Sequence, residues 1–283
     1  MKRLFAAVIV VCLLLSGCAA GSAQRTDNAI VAATAPIYEL TAAVIDGTDL
    51  VCEQLVTEPV SCLHDYSLSV EQMKTVSAAK VAVLSGLGLE DFMADALAAC
   101  DTVIDLSAAV TPLTGDEGPD PHWWLSPENM ALAADELAAQ LGALYPRHAD
   151  AFAANAANYA EKMHALTAYG EAALKDLSCR ELVTFHDGFS YFADAFGLTV
   201  AAMEIESGSE PSARDLEAII GLVKSRGIPA VFTETNGDTA AAGLVSGETG
   251  AAVYSLSTAM DLSSGSYEDV MKANFDTVKE ALQ

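Results

Sequence analysis

Five histidines stand in this 283-residue chain, and three of them sit beside an acid in short polar segments. The segments read Cys62-Leu63-His64-Asp65-Tyr66, Asp120-Pro121-His122-Trp123-Trp124 and Thr184-Phe185-His186-Asp187-Gly188. Neutral imidazole is a common metal ligand, and three of them suit a divalent ion such as zinc. Asp65, Asp120 and Asp187 are placed to orient the rings by accepting a second ring N–H. Taken one at a time, each reads more readily as an ordinary surface or capping histidine than as a ligand, because no spacing is as short as a zinc finger's. His148 follows Tyr145-Pro146-Arg147 at a helix break and reads as solvated. His164 lies three residues after Glu161, but a carboxylate di-metal site needs two such pairs and two further acids. It reads as a surface residue.

Enzyme signatures are missing. There is no Gly-x-Ser-x-Gly, no His-Glu-x-x-His and no phosphate-binding Gly-x-x-x-x-Gly-Lys. The expected role is binding without catalysis. Three histidines and a water also make a catalytic zinc geometry, so a zinc hydrolase is the runner-up; it would need a general base in the cleft. A binder of an organic iron chelate, or an adhesin, is a third reading. It would use an aromatic cleft, for which Trp123 and Trp124 are the candidates.

Something must bring three distant histidines together. Apolar runs at residues 29–34, 80–84 and 102–106 read as strands, and residues 50–60 as a strand and loop. Helices are expected at 37–45, from Ser69 onward with Glu71 and Gln72 in the first turn, and at 89–99. Gly86-Leu87-Gly88 reads as a turn. Ser126-Pro127 opens further helix, broken at Tyr145-Pro146, and residues 152–177 form one long helix of about 26 residues, roughly 39 Å. The rhythm then resumes, with strands at 181–185, 199–203, 230–233 and 253–256. Helices are expected at 191–196, from the Ser212 cap to 224, and at 267–282. Strand and helix in alternation predict an α/β fold. We expect two lobes, each with a mainly parallel sheet flanked by helices, joined by one long rigid interlobe helix. The divisions are 29–147 for the first lobe, 148–178 for the helix and 179–283 for the second. All three histidines follow a strand or loop and precede a helix, the carboxyl-end position where α/β sheets bind ligands.

The first residues describe export. Lys2 and Arg3 precede an apolar run over residues 4–15, too short for a bilayer, which takes about 20 residues. Leu15-Ser16-Gly17-Cys18 resembles the bacterial lipobox, so residues 1–17 read as a signal peptide, Cys18 as the lipidated residue and 18–28 as a tether. The expected location is outside the cytoplasm, anchored to the cell membrane. A formal net charge of -25 excludes a nucleic-acid partner, which needs a basic footprint, and favours a dispersed monomer. Of the remaining cysteines, Cys52 and Cys62 flank one loop and are expected to bridge, fixing the segment that carries His64. Cys100 and Cys179 are left either paired or buried. A zinc–thiolate site is disfavoured, because there is no Cys-x-x-Cys.

Over nearly the whole mature chain the sequence resembles the substrate-binding lipoproteins of zinc and manganese ABC importers, the cluster with a rigid interlobe helix. The match is carried by His64-Asp65-Tyr66 followed by Ala79-Lys80-Val81 and Gly86-Leu87-Gly88-Leu89-Glu90, by Asp120-Pro121-His122-Trp123-Trp124-Leu125-Ser126-Pro127, and by Phe185-His186-Asp187-Gly188-Phe189-Ser190-Tyr191-Phe192. Glu210-Pro211-Ser212 and Phe232-Thr233-Glu234 also fit. The resemblance implies capture of a divalent metal ion by His64, His122 and His186 and delivery to an ABC transporter permease. Histidine at the third position implies Zn2+, with Mn2+ as the alternative. The chain departs from the pattern in three places. Ser67-Leu68-Ser69 replaces the usual prolines, a short acidic loop stands where some relatives carry a histidine-rich one, and Tyr254-Ser255-Leu256-Ser257 occupies the place of a fourth carboxylate ligand. Asp261, Glu234 or a water remain for that fourth position.

Overall fold

The structure, a computed structural model, describes residues 27–58, 60, 63, 66–115, 118–201 and 212–283. Cys18, Cys62 and His64, with the expected signal segment, lie outside the described residues.

Two parallel sheets organise the chain. The first is built from β1 (Ala29–Ala32), β2 (Val51–Gln54), β3 (Val81–Leu84) and β4 (Thr102–Asp105), in the order β2-β1-β3-β4. Helices cross between them: α1 (Ala35–Ile45), α2 (Val70–Ala78) and the short α3 (Ala94–Leu97). Its inner strands β1 and β3 are buried on both faces, as strands of a parallel sheet are, while the outer strands β2 and β4 are partly exposed. Ile30, Ala32, Val81 and Val83 face the main core, while Val31, Ala33, Ala82 and Leu84 face a second cluster with Val76 and Met93. That period of two is the strand's own geometry.

A small antiparallel hairpin, β5 (Thr114–Gly115) and β6 (Gly118–Pro119), lies in the short acidic loop before His122. Then come α4 (Pro127–Leu144) and α5 (Ala149–Leu174), the long helix. Helix α5 buries Phe152, Ala156, Tyr159, Met163, Leu166, Gly170 and Leu174 along one stripe. Steps of three and four residues keep these on one face.

The second sheet uses β7 (Glu181–Leu182), β8 (Thr199–Val200), β9 (Ala230–Glu234) and β10 (Ala252–Leu256). Strand β7 pairs with β8 and β9 with β10, all parallel. The Phe232 N–H donates to Val183 O at 2.8 Å, and Thr184 bridges Phe232, so the two pairs lie side by side. Around this sheet pack α6 (Ser190–Ala195), α7 (Ala213–Arg226), α8 (Ala240–Thr249) and α9 (Tyr267–Leu282). Helix α5 contacts α1, α4 and α9, and one apolar cluster runs from Ile30 through Phe152 and Phe232 to Leu282. No helix among the described residues is long and apolar enough to cross a membrane.

The caps expected at Ser69 and Ser212 form, each as a capping box, with Gln72 and Asp215 at the third position. Ser266 forms a third box with Asp269, which was not singled out from sequence. Residues 89–99 differ from expectation. They form a 3-10 turn, Asp91–Met93, and only then α3. Gly86, Leu87 and Gly88 all carry positive φ, and the Glu90 side chain folds back onto this turn instead of starting a helix.

Cys62, the expected partner of Cys52, lies outside the described residues, and Cys52 itself is a free thiol. It sits on the outer strand β2 against the main core, where burial pushes its thiol up to about 12. Cys100 and Cys179 are also free, each packed beside apolar residues.

Candidate metal centre

Two of the three expected histidines meet. His122 lies just before a 3-10 turn, Trp123–Leu125, and is buried. Asp120 Oδ1 accepts the His122 backbone N–H at 2.9 Å and lies 2.8 Å from His122 Nδ1. This pairing assigns the ring proton to Nδ1 and leaves the Nε2 lone pair free to bind. The Nε2 atom of His186 is 3.4 Å from that of His122, with the ring planes at 88°. Two ligands that far apart subtend roughly 110° at an ion about 2.05 Å from each, close to the tetrahedral angle.

The scaffold that holds them draws on both halves of the chain. Tyr191 on α6 donates its hydroxyl to Asp120 O at 3.0 Å and accepts the Leu113 N–H at 2.9 Å. The Trp123 indole donates to Ser85 O, after β3, at 2.8 Å. Its neighbour Trp124 donates to Thr258 O, after β10, at 2.7 Å, and Tyr267 donates to Trp124 O. Both indoles are fully buried, so they are packing residues and not the lining of an aromatic cleft. Gly188 leaves the space that the rings use. A Cβ there would sit 2.7 Å from His186 Cδ2 and 3.4 Å from His122 Cδ2.

Glu234 closes one side. As the last residue of β9 it is buried, and its Oε1 lies 3.8 Å from His186 Nε2. Burial pushes its carboxyl up to about 7, against the opposing influence of His122 and a hydrogen bond from Thr258. Oε1 has no hydrogen-bond partner, and neither does the buried Asp120 Oδ2. Asp261 behaves differently. Its Oδ1 accepts the Ser263 N–H at 2.9 Å, and hydrogen bonds from Ser263 and Asn236 hold its carboxyl below the usual range. Among the described residues no three His, Cys, Asp or Glu side chains form a closed ligand set. Two facing imidazoles with a carboxylate alongside make a partial set.

The other two histidines stay apart. His148 pairs with Asp49 at 2.6 Å beside Arg147, and the exposed His164 pairs with Glu128 at 3.1 Å. Gly188 and Tyr191 were not singled out from sequence. Both fall inside the segment read for His186, and that proximity was the available signal.

Comparison with known proteins gives four findings. Residues 30–281 match the family model described as ZnuA, zinc-uptake complex component A, periplasmic. The manganese-binding lipoprotein MntA of Bacillus subtilis is 30% identical over 306 residues, spanning 100% of this chain and 99% of that protein. A crystal structure of ZnuA superimposes with a TM-score of 0.82 at 28% identity, covering 89% of this chain and 98% of that one. The laminin-binding protein Lmb of Streptococcus agalactiae, described as a bifunctional protein with adhesin and metal-transporting activity, also gives 0.82, at 27% identity over 90% of this chain and 99% of its own.

Proposed function

The chain belongs to the ZnuA family of periplasmic zinc-uptake components, and we propose that it is an extracytoplasmic solute-binding lipoprotein. It captures one divalent metal ion, zinc in preference to manganese, between its two sheets and delivers it to an ABC-type importer. The observation that carries this reading is the 3.4 Å approach of the His122 and His186 Nε2 atoms in a buried, pre-oriented pair. Such a pair, with His64 as the third ligand, gives an imidazole-rich site, and imidazole ligands favour zinc over manganese. The kinship with a relative named for manganese supports the second ion as the alternative.

Capture needs no bond-making beyond coordination. A neutral imidazole binds the ion as it is, and Asp120 strengthens His122 by holding its other nitrogen. The lobes are residues 29–147 and 179–283, with 148–178 between them. Cys18 carries the lipid that keeps the protein at the membrane, beside the permease. In this reading the protein is a monomer without catalytic activity.

The test is metal uptake by the chelated protein, measured by calorimetry and elemental analysis. Wild type should take one zinc per chain and bind manganese more weakly. His122→Ala should lower zinc affinity by at least about 100-fold, since it removes a ligand together with its oriented partner. Uptake of neither ion at one per chain would sink the reading.

A further inference from the structure

The fourth position of the site was left between Asp261, Glu234 and a water. Resting on the metal-capture reading, the geometry points to Glu234 as the carboxylate ligand, bound through Oε1. Three observations converge on it.

The first is an unpaired atom. Glu234 Oε1 is buried and has no hydrogen-bond partner. Buried polar atoms are almost always paired, and an unpaired carboxylate oxygen is among the more costly exceptions. The oxygen lies 3.8 Å from His186 Nε2, too far for a direct hydrogen bond. It is within the ~4.1 Å that two ligands can span when each sits about 2.0–2.1 Å from one ion. A shared cation satisfies both atoms at once.

The second is position. Glu234 ends β9, whose register pairs it with Leu256 of β10, so the carboxylate stands at the carboxyl edge of the second sheet. Thr258 hydrogen-bonds the side chain. Thr258 O is in turn held by the Trp124 indole, two residues from His122. The same short segment therefore orients an imidazole and braces the residue that steadies the carboxylate. Gly237 leaves room for it, since a Cβ there would press to 3.1 Å on Glu234 Cβ.

The third is what the competitor does. Asp261 lines the same small cavity as Glu234, together with Asn236, Ser257 and Thr258. Its carboxylate is committed to a turn, through Ser263 and Asn236, and it is partly exposed. Asp261 already accepts hydrogen bonds from its own turn, whereas Glu234 Oε1 accepts none.

The consequence is a mixed nitrogen and oxygen set whose one negative charge offsets part of the ion's. Two variants test it: Glu234→Gln, which keeps the shape and removes the charge, and Asp261→Asn. Circular dichroism first establishes that both are folded. Zinc affinity is then measured by competition with a chelator, and the visible spectrum is recorded for the cobalt-loaded forms. Glu234→Gln should lose at least about tenfold in zinc affinity and shift the cobalt bands, with binding still at one per chain. Asp261→Asn should stay within about threefold of wild type and leave the bands in place. If wild type binds zinc and Glu234→Gln binds it equally well with unchanged bands, Glu234 is not a ligand, although capture by the histidines still stands. If Asp261→Asn alone shows the loss, the ligand is Asp261. If wild type itself takes up no metal, the functional reading fails first.

Discussion

Glu90 and Glu234 are both buried carboxylates near the carboxyl edge of a parallel sheet, one in each half of the chain, and burial pushes both up to about 7. Their surroundings separate them. Both oxygens of Glu90 are used: Oε1 accepts the Ser85 N–H at 2.7 Å and Oε2 the Gly86 N–H at 2.9 Å. Glu234 leaves Oε1 unpaired and facing an imidazole. A buried acid whose acceptors are filled by its own backbone is a structural fastener. One with an unpaired oxygen beside a metal-ligating ring is arranged for something the chain does not itself supply. Burial and titration alone would have ranked the two alike, and only the partner count divides them.

The strongest way to break this contrast is to remove the fastener. Glu90→Ala would leave two buried backbone N–H groups unpaired in a turn of positive φ. Each such loss costs about 1–3 kcal/mol, so chemical denaturation should show a destabilisation of roughly 2–5 kcal/mol. Refolded protein should still take one zinc per chain. A mild variant, within about 0.5 kcal/mol of wild type, would mean that the Glu90 bonds are dispensable.

Stability against pH sharpens the same point. Between pH 4.5 and about 7 the folded chain keeps a proton on Glu90 that the unfolded chain has released. The stabilisation is therefore full below pH 4.5 and lost as pH rises through about 7, with a ceiling on the order of 3 kcal/mol. Metal-free protein carrying Glu90→Gln should show a flatter decline over this window in urea titrations at stepped pH. A slope equal to that of wild type would show that Glu90 titrates normally.

Gly188→Ala probes the space between the rings. The new methyl would push on His186 at 2.7 Å, so zinc affinity should fall by about tenfold, while the melting temperature of the metal-free protein moves by only a few degrees. An unchanged affinity would show that the rings can move aside freely.

The smallest expected effect is on Glu234 itself in the metal-free state. Glu234→Gln removes a carboxylate with an unpaired oxygen, so metal-free stability should change by less than about 1 kcal/mol or rise. A loss comparable to that of Glu90→Ala would make Glu234 a fastener too and collapse the distinction.

Much of the framework was legible in the residue pattern. The serine caps at Ser69, Ser126 and Ser212 fell as expected because a hydroxyl at a helix start answers a purely local need. The strands β1, β3 and β9 were visible as short apolar runs because both of their faces are buried. Residues 89–99 misled, since apolar spacing suggested a helix that the Gly86–Gly88 turn and the inward fold of Glu90 cut short. Cys52 shows what closeness in sequence leaves out, since its thiol packs against the core on an edge strand.

The sequence by itself determined which residues had ligand chemistry, that the strands would be parallel, and that His122 came with an acid two residues before it. Those properties depend on residue type and short-range spacing, which the chain carries before it folds. The tertiary structure decided the rest. Residues 64 positions apart came within 3.4 Å of each other, and Glu234 was left with a buried oxygen that no neighbour bonds. Such facts depend on how two sheets pack about one helix, and on which neighbours happen to satisfy each buried atom.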